Sequence, residues 1–236
     1  MERKNLKQKV ISIWLVALAL LLCSCSQEAI KTPLPPRWDS IPDFESLKVV
    51  CLGDSITAGM YVDHGYPEAL QSILGIGTMI NLGFGGSTIS DLNEKSFQPY
   101  VERYSQIPKD ADIIIVQTQC NDAGRIPIGE TDDTDTGTYM GAWNYLLSHV
   151  LSEYPTAYVF VIGPNRNANS AALDPYAKAI RTMTQKYGID LLEMFVCNSN
   201  YVYSIDTVDG CHHTQKYIDE TLAPWVARFI LNNYKP

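Results

Sequence analysis

Five short apolar runs, rich in β-branched residues and mostly closed by a glycine, a proline or a polar side chain, constrain this chain more than any other feature. They are Val49-Val50-Cys51-Leu52, Thr78-Met79-Ile80-Asn81-Leu82, Ala111 to Thr118 around Ile113-Ile114-Ile115-Val116, Ala157 to Gly163, and Asp190 to Phe195. Each has the length and character of a buried strand. Stretches of helical character lie between them. Tyr66 to Leu74 opens with Pro67, a segment near Tyr100 to Ile107 stops at Pro108, and a third runs from about Tyr139 to Glu153. Leu173 to Tyr187 is ended by Gly188, and a last helix spans roughly Gln215 to Asn233 with a kink expected at Pro224. Strands alternating with helices predict an α/β fold: a three-layer α/β/α domain with a mainly parallel five-stranded sheet. No internal repeat is visible.

The amino-terminal stretch has to be set apart before the fold is considered. Arg3, Lys4, Lys7 and Lys9 form a basic head, and the apolar run from Val10 to Cys23 is short for a spanning helix. Leu22-Cys23-Ser24-Cys25 follows and resembles the lipobox of bacterial lipoproteins, in which a small residue precedes the cysteine to be lipidated. Ser24 precedes Cys25 whereas Leu22 precedes Cys23, so Cys25 fits that role better. Residues 1–24 are then a lipoprotein signal peptide, with an uncleaved signal anchor or an ordinary secretory signal as alternatives. Residues 25–47, with Pro33, Pro35, Pro36 and Pro42, read as an extended tether, and 48–236 as the folded domain. This predicts a lipid-anchored protein of the bacterial cell envelope, held at the membrane through Cys25.

The 18 Lys and Arg against 26 Asp and Glu become 14 against 25 once residues 1–24 are removed, a net charge of −11. Such a surface repels phosphate backbones and argues against nucleic-acid binding. Cys51, Cys120, Cys197 and Cys211 remain, without the spacing of a zinc site. Cys51, inside a strand, is expected to stay free, and a Cys197–Cys211 pair is left open.

Several strand ends carry a polar feature, as a crevice over the carboxyl edge of a parallel sheet requires. Gly53-Asp54-Ser55 follows the first run, the cluster Gly83-Phe84-Gly85-Gly86 the second, and Asn121-Asp122 the third. Asp209-Gly210-Cys211-His212-His213 stands just before the last helix. A serine is a weak nucleophile until a base takes its proton, and imidazole is suited to that near neutral pH. Glycines let backbone N–H groups approach a ligand closely, and an asparagine amide supplies a further donor. Singly, each feature has an ordinary reading as a helix cap, a plain turn or an Asx turn.

Together and in this order the four blocks resemble the SGNH (GDSL) hydrolase family over almost the whole mature domain. The resemblance implies a flavodoxin-like α/β/α sandwich and a serine esterase or acylhydrolase without cofactor or metal. It implies Ser55 as nucleophile, His212 as base and Asp209 as the partner orienting that base. The oxyanion donors it implies are the backbone N–H groups of Ser55 and Gly86 and the amide of Asn121. The GxSxG elbow of α/β-hydrolases is absent, since position 57 is threonine. One departure stands out: the family's third block is usually Gly-x-Asn-Asp, and here Gln119-Cys120 precedes Asn121-Asp122. The turn after the third strand must therefore tolerate a Cβ and a long polar side chain. His213 stands where the family often has proline, and the adjacent histidines invite a metal reading with Cys211 and Asp209. Neighbouring side chains usually point apart, however, and there is no second ligand cluster in the sequence.

Asp54 and Asp122 are read as hydrogen-bonding scaffold, His64 and His149 as surface or packing residues, and Tyr139, Trp143 and Tyr145 as core. The substrate expected is a small molecule or polysaccharide carrying a carboxylic ester, with a carbohydrate O-acetyl ester favoured. The alternatives are a lysophospholipase or thioesterase activity, and a non-catalytic carbohydrate-binding protein of the same fold with its pocket blocked by Gln119.

Overall fold

The computed structural model describes residues 42–92, 98–198 and 200–236. The signal peptide, the lipobox with Cys25 and the tether as far as residue 41 lie outside the described residues. The five expected strands are β1 (Lys48–Gly53), β2 (Thr78–Gly83), β3 (Ile113–Gln117), β4 (Tyr158–Ile162) and β5 (Asp190–Leu192). They form one parallel sheet in the order β2-β1-β3-β4-β5, with Val50 level with both Ile80 and Ile114. This is the flavodoxin-like order.

The central strands are buried on both faces, which is why they read as unbroken apolar runs. Successive side chains alternate between faces, so β1 and β3 each feed two cores. Val50, Leu52, Ile114 and Val116 join Trp143 and Leu146 of helix α3 (Tyr139–Glu153) and Ile180 of helix α4 (Ser170–Tyr187). Val49, Cys51, Ile113 and Ile115 join Leu70 of helix α1 (Tyr66–Leu74) and Val226 and Ile230 of helix α5 (Ala223–Asn233). A short helix α2 (Tyr100–Arg103) packs with the first core. Tyr139 and Trp143 are core residues, as expected from their spacing. Among the described residues no helix is long and apolar enough to cross a membrane.

The structure departs from the sequence reading at several edges. The packed body begins before Lys48. Phe44 is only 6% exposed, and its carbonyl accepts the Gly77 N–H at 3.0 Å. The tether therefore stops short of residue 47, because the apolar Phe44 has a core to enter. β5 ends at Leu192 and the chain coils into a turn at Met194–Cys197, which sends Met194 into one core and Phe195 into the other. Helix α4 starts at Ser170, three residues ahead of Leu173, because the Asn169 carbonyl accepts the N–H groups of Ala172 and Leu173. The last helix is not one kinked rod. A turn at Gln215–Tyr217 runs into a π-helical turn at Ile218–Leu222, and α5 restarts with Pro224 in its first turn, where no N–H is needed. The acidic loop after β3 is fastened to α3, since the Asn144 amide donates to the carbonyls of Thr131 and Asp133.

Candidate active site

The sheet order reverses beside β1, with β2 on one side and β3 on the other, and in open α/β sheets ligands bind outside the carboxyl ends of the strands at such a switch point. β1 delivers Ser55 there. Gly53 permits the tight turn, because a Cβ on it would lie 1.9 Å from Thr57 Oγ1. Asp54 Oδ1 accepts the Ile56 N–H at 2.9 Å, and the Ser55 carbonyl accepts that of Met60 at 3.0 Å, so the chain leaves the strand in a hydrogen-bonded coil.

His212 arrives from the other end of the domain. Asp209 Oδ1 accepts the backbone N–H groups of Cys211 (3.0 Å) and His212 (2.8 Å), folding the loop around its own carboxylate. Gly210, at φ +88°, makes that fold possible, and the pairing of Thr207 with His213 closes its base. The remaining oxygen, Asp209 Oδ2, lies 2.7 Å from His212 Nδ1, and His212 Nε2 lies 2.9 Å from Ser55 Oγ. Partial burial works to raise Asp209, but hydrogen bonds from the His212 backbone and ring and from the Cys211 backbone outweigh it and hold the carboxyl below the usual range. An ionised carboxylate only accepts, so the His212 proton sits on Nδ1 and Nε2 is left to accept from the serine hydroxyl.

Gly86 and Asn121 stand on neighbouring loops, joined through the residue between them: Asn121 Nδ2 donates to the Ser87 carbonyl at 2.9 Å. Gly86 has φ +77°, a conformation that favours glycine. Gly83 is required by close packing, since a Cβ there would fall 2.2 Å from the Ala58 nitrogen.

Asp54 and Asp122 act as buried acceptors. Asp122 takes the N–H of Ile89 on both oxygens, at 3.1 and 3.2 Å, and that of Ser90 at 3.4 Å, which pins the second loop to the third. Burial pushes Asp122 up to about 7 against these donors. Burial likewise pushes Asp54 up to about 6, against the N–H groups of Ile56 and Gln119.

The Gln119 side chain is held by the backbone of a neighbouring loop. Its amide runs to the loop after β4, with Nε2 donating to the Asn165 carbonyl at 3.2 Å and Oε1 accepting the Asn165 N–H at 3.0 Å. The pair has the form of one rung of a β-ladder. The adjacent histidines point apart, as expected. His213 is buried against Asn165 (3.2 Å) and the Tyr217 ring (centroids 4.5 Å apart), and burial, with His212 nearby, lowers it to about 3.

Two residues were not foreseen. Arg103, buried at the end of α2, donates to the carbonyls of Gly53 (2.9 Å), Leu82 and Gln98 (2.6 Å) and to Ser87 Oγ (2.8 Å), tying the ends of β1 and β2 to the glycine-cluster loop. Its only trace in the sequence is a lone cation among Tyr100, Val101 and Tyr104. Tyr61 is 66% exposed, has a left-handed backbone (φ +66°), and sets its ring edge-on to His212 with centroids 4.9 Å apart. No local residue pattern announces it.

Residues 51–216 match the GDSL-like Lipase/Acylhydrolase family. An acetylxylan esterase from Xylanibacter ruminicola is 35% identical over 91 residues, covering 35% of this chain. The chain spans only 18% of the length of that curated relative. A solved protein from Lactobacillus plantarum superimposes with a TM-score of 0.71 at 26% identity, covering 80% of this chain and 98% of its own. A family two carbohydrate esterase from Clostridium thermocellum, solved with cellohexaose, has the same fold at a TM-score of 0.58 and 14% identity, covering 82% of this chain and 66% of its own.

Proposed function

This chain belongs to the GDSL-like lipase/acylhydrolase family, and from that premise we propose that it is a carboxylic ester hydrolase, that Ser55, His212 and Asp209 are its catalytic triad and that it removes a short acyl group, an O-acetyl ester, from a carbohydrate. The observation that carries the triad is the unbroken line from Asp209 Oδ2 through the His212 ring to Ser55 Oγ, at 2.7 and 2.9 Å. His212 Nε2 takes the Ser55 proton as Oγ attacks the ester carbonyl. The tetrahedral intermediate collapses to an acyl-serine as His212 returns that proton to the departing alcohol oxygen. Water, deprotonated by the same nitrogen, then releases the acid and restores the serine. Asp209 keeps the ring in its Nδ1–H tautomer and stabilises the imidazolium.

The intermediate's oxyanion is met in this reading by the N–H groups of Ser55 and Gly86 and by the Asn121 amide. One Asn121 N–H holds the Ser87 carbonyl, which fixes the plane of the group, and an amide carries a second. Removing one such donor costs on the order of 10²–10³ in turnover. The carbohydrate ester is supported by the acetylxylan esterase from X. ruminicola and by the fold shared with the C. thermocellum carbohydrate esterase.

Hydrolysis of p-nitrophenyl acetate by the wild type and by Ser55→Ala tests the triad; equal rates would remove Ser55 from the mechanism. An acyl series from acetate to palmitate, followed by acid release from acetylated polysaccharides, tests the substrate. Faster turnover of long chains would point instead to lysophospholipid or thioester hydrolysis. The lipobox makes the protein a lipoprotein of the cell envelope in this reading, and unchanged membrane association in Cys25→Ala would contradict it.

A further inference from the structure

The geometry points to Cys120 and Cys211 as a disulfide-forming pair that ties the asparagine loop of the site to its histidine loop. Their sulfur atoms lie 3.1 Å apart across 91 positions of sequence, and both are free thiols in the structure. A disulfide needs the two sulfurs about 2.05 Å apart, so a movement of roughly 1 Å closes the bond. The neighbours of each cysteine are held from other directions. Gln119 is paired to the Asn165 backbone and Asn121 to the Ser87 carbonyl, while the Cys211 N–H is held by Asp209. The two sulfurs therefore meet by the placement of two fixed loops. Each cysteine immediately precedes a residue of the proposed machinery, Asn121 in one loop and His212 in the other.

The chemistry needs an oxidant, and the class that fits is another disulfide, carried by a thiol–disulfide oxidoreductase or a small molecule such as oxidised glutathione. Cys211 is the attacking sulfur: the hydrogen bond from the Cys120 thiol lowers it, against partial burial. Its thiolate attacks one sulfur of the oxidant, forming a mixed disulfide and releasing the first reduced thiol. Cys120 then attacks Cys211 Sγ, giving up its proton and expelling the second thiol. Two protein thiols become one disulfide, the oxidant's disulfide becomes two thiols, and the two protons end on those. Cys51 is fully buried within β1, and burial pushes its thiol up to about 12, so it stays out of the exchange.

The test begins with the wild-type chain in buffer containing glutathione disulfide, then in dithiothreitol, with free thiols alkylated before tryptic digestion. Trypsin leaves Cys120 in Asp110–Arg125 and places Cys197 and Cys211 together in Tyr187–Lys216. The expected product is a cross-link between these two peptides, 2 Da lighter than their sum, with fragmentation placing the bond on Cys211. Full alkylation of Cys120 in the oxidised sample, or a bond within Tyr187–Lys216 between Cys197 and Cys211, overturns the assignment. Closing a loop this long is expected to raise the wild-type Tm by roughly 5–15 °C over the reduced form. In Cys120→Ser the reductant-dependent shift should vanish. A wild-type Tm indifferent to reductant would show that the bond, if made, ties nothing together.

Discussion

Gln119 occupies a position where the family usually has glycine, and a consensus argument makes Gln119→Gly harmless or stabilising. The structure requires the opposite. The Gln119 amide makes two hydrogen bonds to the Asn165 backbone, and both residues are buried, at 6% and 2% exposure. Each neutral bond contributes about 1 kcal/mol net, and leaving the buried Asn165 N–H and carbonyl without partners adds about 1–3 kcal/mol before water enters the vacated space. Glycine adds about 0.5–1 kcal/mol through the freedom it gives the unfolded chain. The sum is a loss of about 3.5–6 kcal/mol, and a domain of this size should lose roughly 7–24 °C in Tm. Thermal and urea melts followed by circular dichroism measure it. Gln119→Met separates the terms, since it keeps the volume and the backbone stiffness and removes only the hydrogen bonds. It should fall between wild type and glycine. A Gln119→Gly protein within 1 kcal/mol of wild type would refute the view that this side chain fastens β3 to the loop after β4.

Arg103→Met removes the donors that gather the ends of β1 and β2 with the glycine-cluster loop. Hydrogen bonds to a charged group are worth about 1.5–3 kcal/mol each and the buried cation's own desolvation offsets part of this, so a net loss of about 2–5 kcal/mol should appear in urea melts; no change in midpoint would contradict the clamp. Asp122 is raised by burial to about 7, so the fold holds a proton there that the unfolded chain releases near pH 4. The associated stability is present in full below about pH 4 and is lost as pH rises through about 7. Urea midpoints from pH 4.5 to 7.5 should fall more steeply for the wild type than for Asp122→Asn, and parallel curves would count against the shift. Tyr61→Gly keeps the left-handed backbone and removes the ring beside His212. Stability should be unchanged or higher, while KM for acetylated oligosaccharides rises more than KM for p-nitrophenyl acetate; equal effects on both would deny the ring a part in holding sugar.

The strands were legible because central parallel strands are apolar on both faces, and Ile113–Val116 can be little else. The first three polar blocks were legible because each follows a strand within a few residues, so local order places them at one edge of the sheet; the fourth, Asp209 to His213, lies well beyond β5 and was legible through the family resemblance alone. What the sequence concealed depends on contacts between distant positions. Gln119 finds Asn165 across 46 positions, and Arg103 reaches Gly53 across 50. Neither partner is a side chain, so no pairing of residue types could announce it. Tyr61 escaped notice for another reason: its left-handed backbone is imposed by surroundings, on a residue type that rarely adopts it. The ends of elements were the other weak point. Phe44, Leu192 and the π-helical turn before Pro224 all sit where packing, not propensity, decides where a segment stops.

Ser55 and His212 are separated by 157 positions, nearly the whole body of the fold. A chain growing at about 5–20 residues per second exposes its serine roughly 8–30 s before the imidazole that would activate it is even made. Helix α5, which packs behind β1 together with α1, comes later still. Fragments released early thus carry the proposed nucleophile but neither its proposed base nor the last wall of the core. On the proposed triad, hydrolytic competence arises only after the His212 loop and α5 have been made, and proteolytic loss of that loop would silence the serine without touching it.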